Sequence, residues 1–380
     1  MPSAAVRAAL TPRWASDPLW RRAQQVPAFD LDFTRRSIID RIGGISGTFT
    51  RPSSTQVAWN GSQFVENAAN QPAFEFVPST GLWGLRMSPA ATNGFARSGQ
   101  FASGAGWTPG TNTSVEVGVQ SLGELTGNRV TRLSNAGNNL ASQGSSIAAG
   151  QVTTWVIASG SHEIGIRVQN IFPDRADGVF NLANGTSRGA SVAGTATGAS
   201  TYMYHFGGGL YLCALTATMA LSNASAFIGP TDASLSVSVW PNSSTVLSSI
   251  TVFHSQIETG PLPTSPTITS GLTVTRSADS FIFSGNAELT ALLRSGDLTV
   301  YTEHIAQGWN GSNQFIVSLD NSAAATGADE ARAFESSTGI INMTHSFNNA
   351  PQTVLSFGTG VPGTVSRYAY AMGANSTTGA

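Results

Sequence analysis

The chain contains no lysine: all 19 of its basic residues are arginine. Chemistry that depends on a lysine, whether a Schiff base or the ammonium that reaches phosphates in a P-loop, is therefore excluded. Cysteine is almost as scarce. Cys213 stands alone among 380 residues, so neither an intramolecular disulfide nor a thiolate metal cluster can form. Charge of either sign is sparse, at 11% of residues against the usual quarter, and the net balance of −2 leaves no electrostatic footprint for nucleic acid. No apolar run approaches the roughly 20 residues needed to cross a bilayer, and the N-terminal stretch MPSAAVRAALTPRWASDPLWRRAQQVP has no continuous apolar core of the signal-peptide kind. These absences predict a soluble chain, made in a cytoplasm, with no membrane insertion and no cofactor, whose stability comes from packing or association.

What is present is β-forming sequence punctuated by turns. SLSVSVW (Ser234 to Trp240) alternates strictly, with Leu235, Val237 and Val239 on one face and Ser236, Ser238 and Trp240 on the other, the period of a half-buried strand. SITVFHSQIE (Ser249 to Glu258) and DLTVYTEHIA (Asp297 to Ala306) are strand-length runs rich in β-branched and aromatic residues. Gly, Asn, Pro and Ser clusters such as LANGTSRG and WPNSS separate such runs, and ELTALLRSG (Glu288 to Gly296) is the most helical stretch. The expected fold is all-β, with jelly-roll or sandwich domains. Shifts in composition place boundaries near Phe29, near Gly104 and within GPLPTSPTITSG (Gly260 to Gly271).

Residues 1–28 differ from the rest. Arg7, Arg13, Arg21 and Arg22 face a single acid, Asp17, and Trp14 and Trp20 lie in a segment without strand alternation. A solvated tail is one reading. The other is an extended docking arm, since indoles and guanidinium groups are the types enriched at interface hot spots.

WNGSQF at Trp59 returns as WNGSNQF at Trp309. Asn-Gly between strand-like flanks is a hairpin signal, because both central residues of a type I′ turn take positive φ, and Trp and Phe then pair across the strands. The first copy reads as such a turn. The added Asn313 changes the register of the second and leaves Trp309 on a rim.

Several of these stretches together resemble a known family. DFTR (Asp32 to Arg35) followed by GTFTRPSSTQVAWNGSQFVENAANQPAFEFVPSTGLWGLRMSPAATNGF is similar to the opening module of tailed-phage fibre and spike proteins, with Thr50, Arg51, Asn60, Gly61, Asn70, Pro72, Gly84, Leu85, Thr92 and Asn93 at the matching positions. GGGLYLCALTATMA resembles the Gly-Trp-Tyr strand of that family's middle domain, with Leu210 in place of the Trp. HSQIETGPLPTSPTIT and VTRSAD resemble its linker signature through Gln256, Glu258, Gly260, Thr264, Ser265, Arg276 and Asp279. The resemblance implies an opening module at 29–103, a jelly roll like carbohydrate-binding modules at 104–266, and a shortened concanavalin A-like (laminin G-like) sandwich at 267–380. Gene transfer agents, which are phage-derived particles, carry similar spikes. The RMSP that follows Gly-Leu departs from the family's Leu-Leu-Ile-Glu.

At the level of chemistry the residues point away from catalysis. A glycosidase needs two carboxylates facing each other across a cleft. Asp329 and Glu330 are adjacent, the Glu-x-Asp-x-x-Glu spacing of concanavalin A-like glucanases is missing, and His162-Glu163 and Glu303-His304 are neighbours whose side chains diverge. Asp174 and Asp177 in FPDRADG lie near a Gly turn, where they would either help hold Ca²⁺ or cap their own loop. Trp155, Trp240 and Trp309 offer flat faces for sugar rings. Cys213 within YLCALTA reads as a small core residue.

The resulting expectation is a non-enzymatic component on the surface of a phage-like virion, synthesised in a bacterial cytoplasm. It docks on other particle proteins through the arm, assembles as a homo-oligomer (a trimer or a higher ring) and binds host-surface polysaccharide. A polysaccharide-degrading spike and a purely structural spike base are the alternatives.

Overall fold

The computed structural model describes residues 31–39, 41, 44, 46–51, 56–101, 106–134, 140–231, 248–282, 298–305, 314–320, 330–335, 340–347, 350–359 and 365–372. These are nearly all strand and turn, as the all-β expectation requires, with one 3-10 turn at Phe33–Arg35 whose Thr34 N–H is capped by the Asp32 carboxylate. The expected arm, the SLSVSVW strand and the ELTALLRSG helix lie outside the described residues.

The opening module consists of short strands: β1 (Thr48–Thr50), β2 (Gln56–Trp59), β3 (Phe64–Asn67), β4 (Phe74–Val77), β5 (Leu82–Leu85) and β6 (Ala91–Asn93). β2 with β3 and β4 with β5 form antiparallel hairpins. The expected Trp59–Phe64 pair forms, with ring centroids 5.0 Å apart. The expected type I′ turn does not. Four residues, Asn60 to Gln63, separate the paired positions, and Gly61 alone of the Asn-Gly pair takes positive φ, at 95°. Asn60 instead organises the loop by its side chain: Oδ1 accepts from the Ser62 N–H at 3.0 Å and the Gln63 N–H at 2.9 Å. An Asx-type side-chain turn therefore does what backbone strain would do in a two-residue loop.

The next strands build a sandwich. They are β7 (Thr108–Pro109), β8 (Thr113–Leu122), β9 (Leu125–Arg132), β10 (Ala141–Gly144), β11 (Gly150–Ser159), β12 (Glu163–Gln169), β13 (Arg175–Asn181), β14 (Thr186–Ala193), β15 (Thr197–Gly207), β16 (Leu210–Met219), β17 (Ser225–Thr231) and β18 (Ser249–Thr259). One sheet runs β14-β13-β12-β17-β10-β7, the other β15-β16-β11-β18-β9-β8, all antiparallel. The chain passes repeatedly from one sheet to the other, so sequence neighbours such as β17 and β18 lie in opposite layers, the winding expected of a jelly roll. The expected strand at SITVFHSQIE is β18.

The second sheet is covered on both faces. Val156, Cys213, Leu215 and Val252 point into the inter-sheet core with Ile164, Ile166 and Phe180 of the first sheet. Trp155, Ile157, Leu212, Ala214 and Phe253 point the other way, into a second core shared with Val57, Trp59 and Phe64 of the opening module. That explains why β11 and β16 read as near-continuous apolar runs rather than alternating ones, since burial on both faces removes the polar positions. Each aromatic buried in this layer contributes about 2–3 kcal/mol by area removed from water. Contact is close at Gly123, where a Cβ would lie 2.1 Å from the Phe64 carbonyl oxygen, so no larger residue fits beneath the β2–β3 hairpin.

After the sandwich the chain runs back. β19 (Val274–Arg276) pairs with β6 and β20 (Ser280–Ile282) with β1. Residues up to Ile282 thus complete the opening module, whereas the sequence placed the start of the last sandwich near Thr267. The described strands of that last region are β21 (Leu298–Ile305), β22 (Gln314–Asp320), β23 (Glu330–Glu335), β24 (Ile340–Phe347), β25 (Ala350–Thr359) and β26 (Val365–Met372). They form a β21–β26 pair and a four-stranded β22-β23-β24-β25 sheet, and the expected DLTVYTEHIA strand is β21.

Candidate functional site

Of the three tryptophans expected to stack on sugar, Trp240 and Trp309 lie outside the described residues, as do Arg7, Arg13, Trp14, Trp20, Arg21 and Arg22 of the arm. Trp155 corrects the expectation. Its side chain is 0% exposed between the sheet and the opening module, its Nε1–H donates to Glu258 Oε1 at 2.7 Å, and its ring lies 5.0 Å from that of His254. A ring with both faces packed has no surface to offer a ligand.

The two aspartates weighed for Ca²⁺ are already engaged. Asp177 is buried in β13, where Arg167 donates to both of its oxygens at 2.5 and 3.1 Å and Arg175 approaches to 3.5 Å. Burial pushes the Asp177 carboxyl up from the ordinary carboxylate range, and the two guanidinium groups oppose that. Asp174 Oδ1 accepts from the Thr195 N–H at 2.7 Å. Cys213 is buried in the core as expected, and desolvation raises its thiol well above the usual range, which makes it inert. Gly185 to Gly189 has the letters of a Gly-x-Ser-x-Gly elbow. Here Ser187 follows a hairpin turn into β14 and donates to Thr201 Oγ1 at 2.7 Å, so the strand-to-helix bend that exposes a nucleophile is missing.

Eight of the residues quoted for the family resemblance are joined in one seam. Arg51 Nε donates to Asp279 Oδ1 at 2.7 Å with both side chains fully buried, and the second Asp279 oxygen accepts from the Ser88 N–H at 2.8 Å. Arg276 Nη1 lies 3.9 Å from the same carboxylate, and its Nη2 donates to the Pro89 carbonyl. Asn70, in the left-handed region at φ 59°, exchanges hydrogen bonds with the Arg51 backbone. Asn93 donates to the Thr267 carbonyl at 2.9 Å, while Gln256 Oε1 accepts from the Thr267 N–H at 2.9 Å.

At the end of this seam lies Glu258, with four donors on two oxygens. Trp155 Nε1 and the Thr264 N–H reach Oε1 at 2.7 and 2.8 Å, and Thr264 Oγ1 and Gln256 Nε2 reach Oε2 at 2.7 and 3.1 Å. Burial raises the Glu258 carboxyl and these hydrogen bonds pull it back. Next to it, burial pushes the His254 imidazole down to about 4, against a weaker contrary pull from Gln256. The seam ties β1, β6, the end of β18, the linker and β19–β20 into one buried polar network. Such a network specifies a unique arrangement to the extent that its members are satisfied, and among the described residues Arg51 Nη2 and Arg276 Nε find no acceptor.

The same interface also leaves a groove of about 320 Å³ where the β2–β3 turn meets the edge of the second sheet. Its rim carries Ser62, Gln120, Ser159, Gly207 and Gly208. Nothing in the sequence assigned these residues a binding role, and the nearest signal was the run of three glycines at 207–209. Elsewhere, three further acids are matched with arginine: Glu75 with Arg86, Glu116 with Arg129, and Glu163 with Arg188. Among the described residues no group of three or more His, Cys, Asp or Glu is placed to hold a metal ion.

Compared with known proteins, the chain matches no family model and no curated sequence.

Proposed function

We propose that this chain is a non-enzymatic fibre or spike component on the surface of a phage-like particle, with a β-sandwich region that attaches to host-surface glycan. The observation that carries the proposal is the seam. Arg51, Asn70, Asn93, Gln256, Glu258, Thr264, Arg276 and Asp279 resemble the motifs of tailed-phage spikes, and they meet in one largely buried network, with Asn70 at its exposed end, although Arg51 and Asp279 are 228 residues apart. Residues brought together to lock three segments in place suit a chain that bears load and presents a surface. A hydrolase would instead keep carboxylates free across a cleft, and the described acids named above are bound to arginine or to hydrogen-bond donors.

In this proposal residues 1–28 dock on other particle proteins and copies of the chain associate as a trimer or higher ring, which multiplies weak sugar contacts into avidity. The intact chain, displayed on a glycan array, is expected to retain a subset of bacterial surface polysaccharides and to release no reducing ends from them. Reducing-end release would replace this proposal with the enzymatic alternative, and a blank array would leave only a structural spike base. Light scattering should give a multiple of the 39.4 kDa chain mass.

A further inference from the structure

The groove at the β2–β3 turn has a consistent chemical character. Its floor is apolar, made by Trp59, Leu210 and Phe253, which belong to the second core and are 5% exposed or less. Its rim is polar and uncharged. Among the described residues no Asp, Glu, Arg or His lines it, so a charged ligand entering it would lose water without gaining a partner. Its volume lies at the small end of the range for small-molecule sites.

Two features leave hydrogen-bonding capacity unused there. The Gln120 and Ser159 side chains make no hydrogen bond among the described residues. Gly207, Gly208 and Gly209 all take positive φ, at 103°, 60° and 76°, and no atom of the described residues lies within 4 Å of where their Cβ atoms would be. A ligand can therefore approach that stretch of backbone with no side chain in the way.

An apolar floor, a neutral rim of hydroxyl, amide and bare backbone, and no charge together match a ring that has one C–H face and several hydroxyls. We infer that this groove binds one neutral sugar residue, its C–H face on Leu122 and Leu210 and its hydroxyls on Gln120, Ser159 and the Gly207–Gly208 backbone. The inference rests on the glycan-attachment proposal and places the contact in this groove, away from Trp155. Binding is by shape and hydrogen bonds alone and needs no metal.

Saturation-transfer NMR on the full chain tests it with glucose, galactose, mannose and N-acetylglucosamine as neutral probes and glucuronate as the charged one. At least one neutral sugar should show transfer, and glucuronate less. Gln120→Ala, at an exposed strand position, should weaken that binding about fivefold, the effect of losing roughly one net hydrogen bond. Ser159→Trp should fill the groove and abolish it. Circular dichroism of both variants checks the fold, and Gln120→Ala decides the matter if Ser159→Trp does not fold. Undiminished binding of the neutral sugar in folded Gln120→Ala overturns the groove while leaving glycan attachment standing. No neutral binding by the intact chain also overturns it, and a glycan array that still shows attachment then locates the contact elsewhere; a blank array removes both.

Discussion

Asp279 accepts a 2.7 Å hydrogen bond from Arg51 Nε across 228 residues of sequence, and neither side chain is exposed to solvent. The pair joins the residue that follows β1 to the loop before β20, so the pairing of β1 with β20 depends on a charge that would be costly to leave alone.

Removing one partner should therefore cost more than removing both. Asp279→Ala is expected to lower stability by about 3–5 kcal/mol, because it strands the Arg51 guanidinium in the interior, while Arg51→Met combined with Asp279→Leu should recover a large part of that loss. Guanidinium denaturation of the three proteins measures it. Equal losses in the single and double variants would mean that the pair does not hold the module together.

Trp155 supplies a second test, because its indole N–H is committed to Glu258. Trp155→Phe should cost about 1–2 kcal/mol through the lost donor to a buried carboxyl and leave glycan retention on an array unchanged. A variant of full stability that had lost glycan binding would restore Trp155 to a sugar-stacking role.

Acid should weaken the fold through His254. Its imidazole is held neutral down to about 4, whereas the unfolded chain takes up that proton near 6.5, so the unfolded state binds more protons between those values. The stabilisation is complete above pH 6.5 and is lost as pH falls through the window toward 4, by about 3 kcal/mol in all. Glu258 acts in the opposite sense, since its raised carboxyl favours the folded state at low pH and that contribution is lost as pH rises. Comparing His254→Phe with the parent isolates the histidine. The variant's stability should vary less with pH from 6.5 to 4, and an identical slope in the two proteins would contradict the assignment.

Two glycines under the hairpin should respond unequally. Gly61→Ala meets only the Phe76 ring at 3.3 Å and a positive φ, for a cost of about 1 kcal/mol. Gly123→Ala would set its Cβ against the Phe64 backbone carbonyl, which cannot swing aside as a ring can, and should cost about 2–3 kcal/mol. Thermal melts of both variants check the order, and a smaller loss at Gly123 would show that the hairpin is not seated on the sandwich as described.

Local chemistry was enough to read the strands. β-branched and aromatic runs bounded by Gly, Asn and Pro identify β18 and β21 from sequence alone, because strand propensity and turn chemistry act over a few residues. Cys213 could be assigned to the core for the same reason, as a small apolar residue inside such a run. Trp155 could not be assigned. In an alternating strand the second face meets water, but β11 carries a third layer, and whether that layer exists depends on residues 57–64 and not on β11 itself. The turn at Asn60 turned on a similar point: Asn-Gly permits a two-residue loop, yet the register Trp59↔Phe64 is set by burial of that aromatic pair on the sandwich, which leaves four residues to close. Gln120, Ser159 and Gly207 are unremarkable in sequence because a groove is a property of surfaces from separate strands. What tertiary structure decided was which distant groups meet, Arg51 with Asp279 above all, since long-range pairing is selected by the free energy of burying the whole layer and leaves no mark in the neighbouring residues.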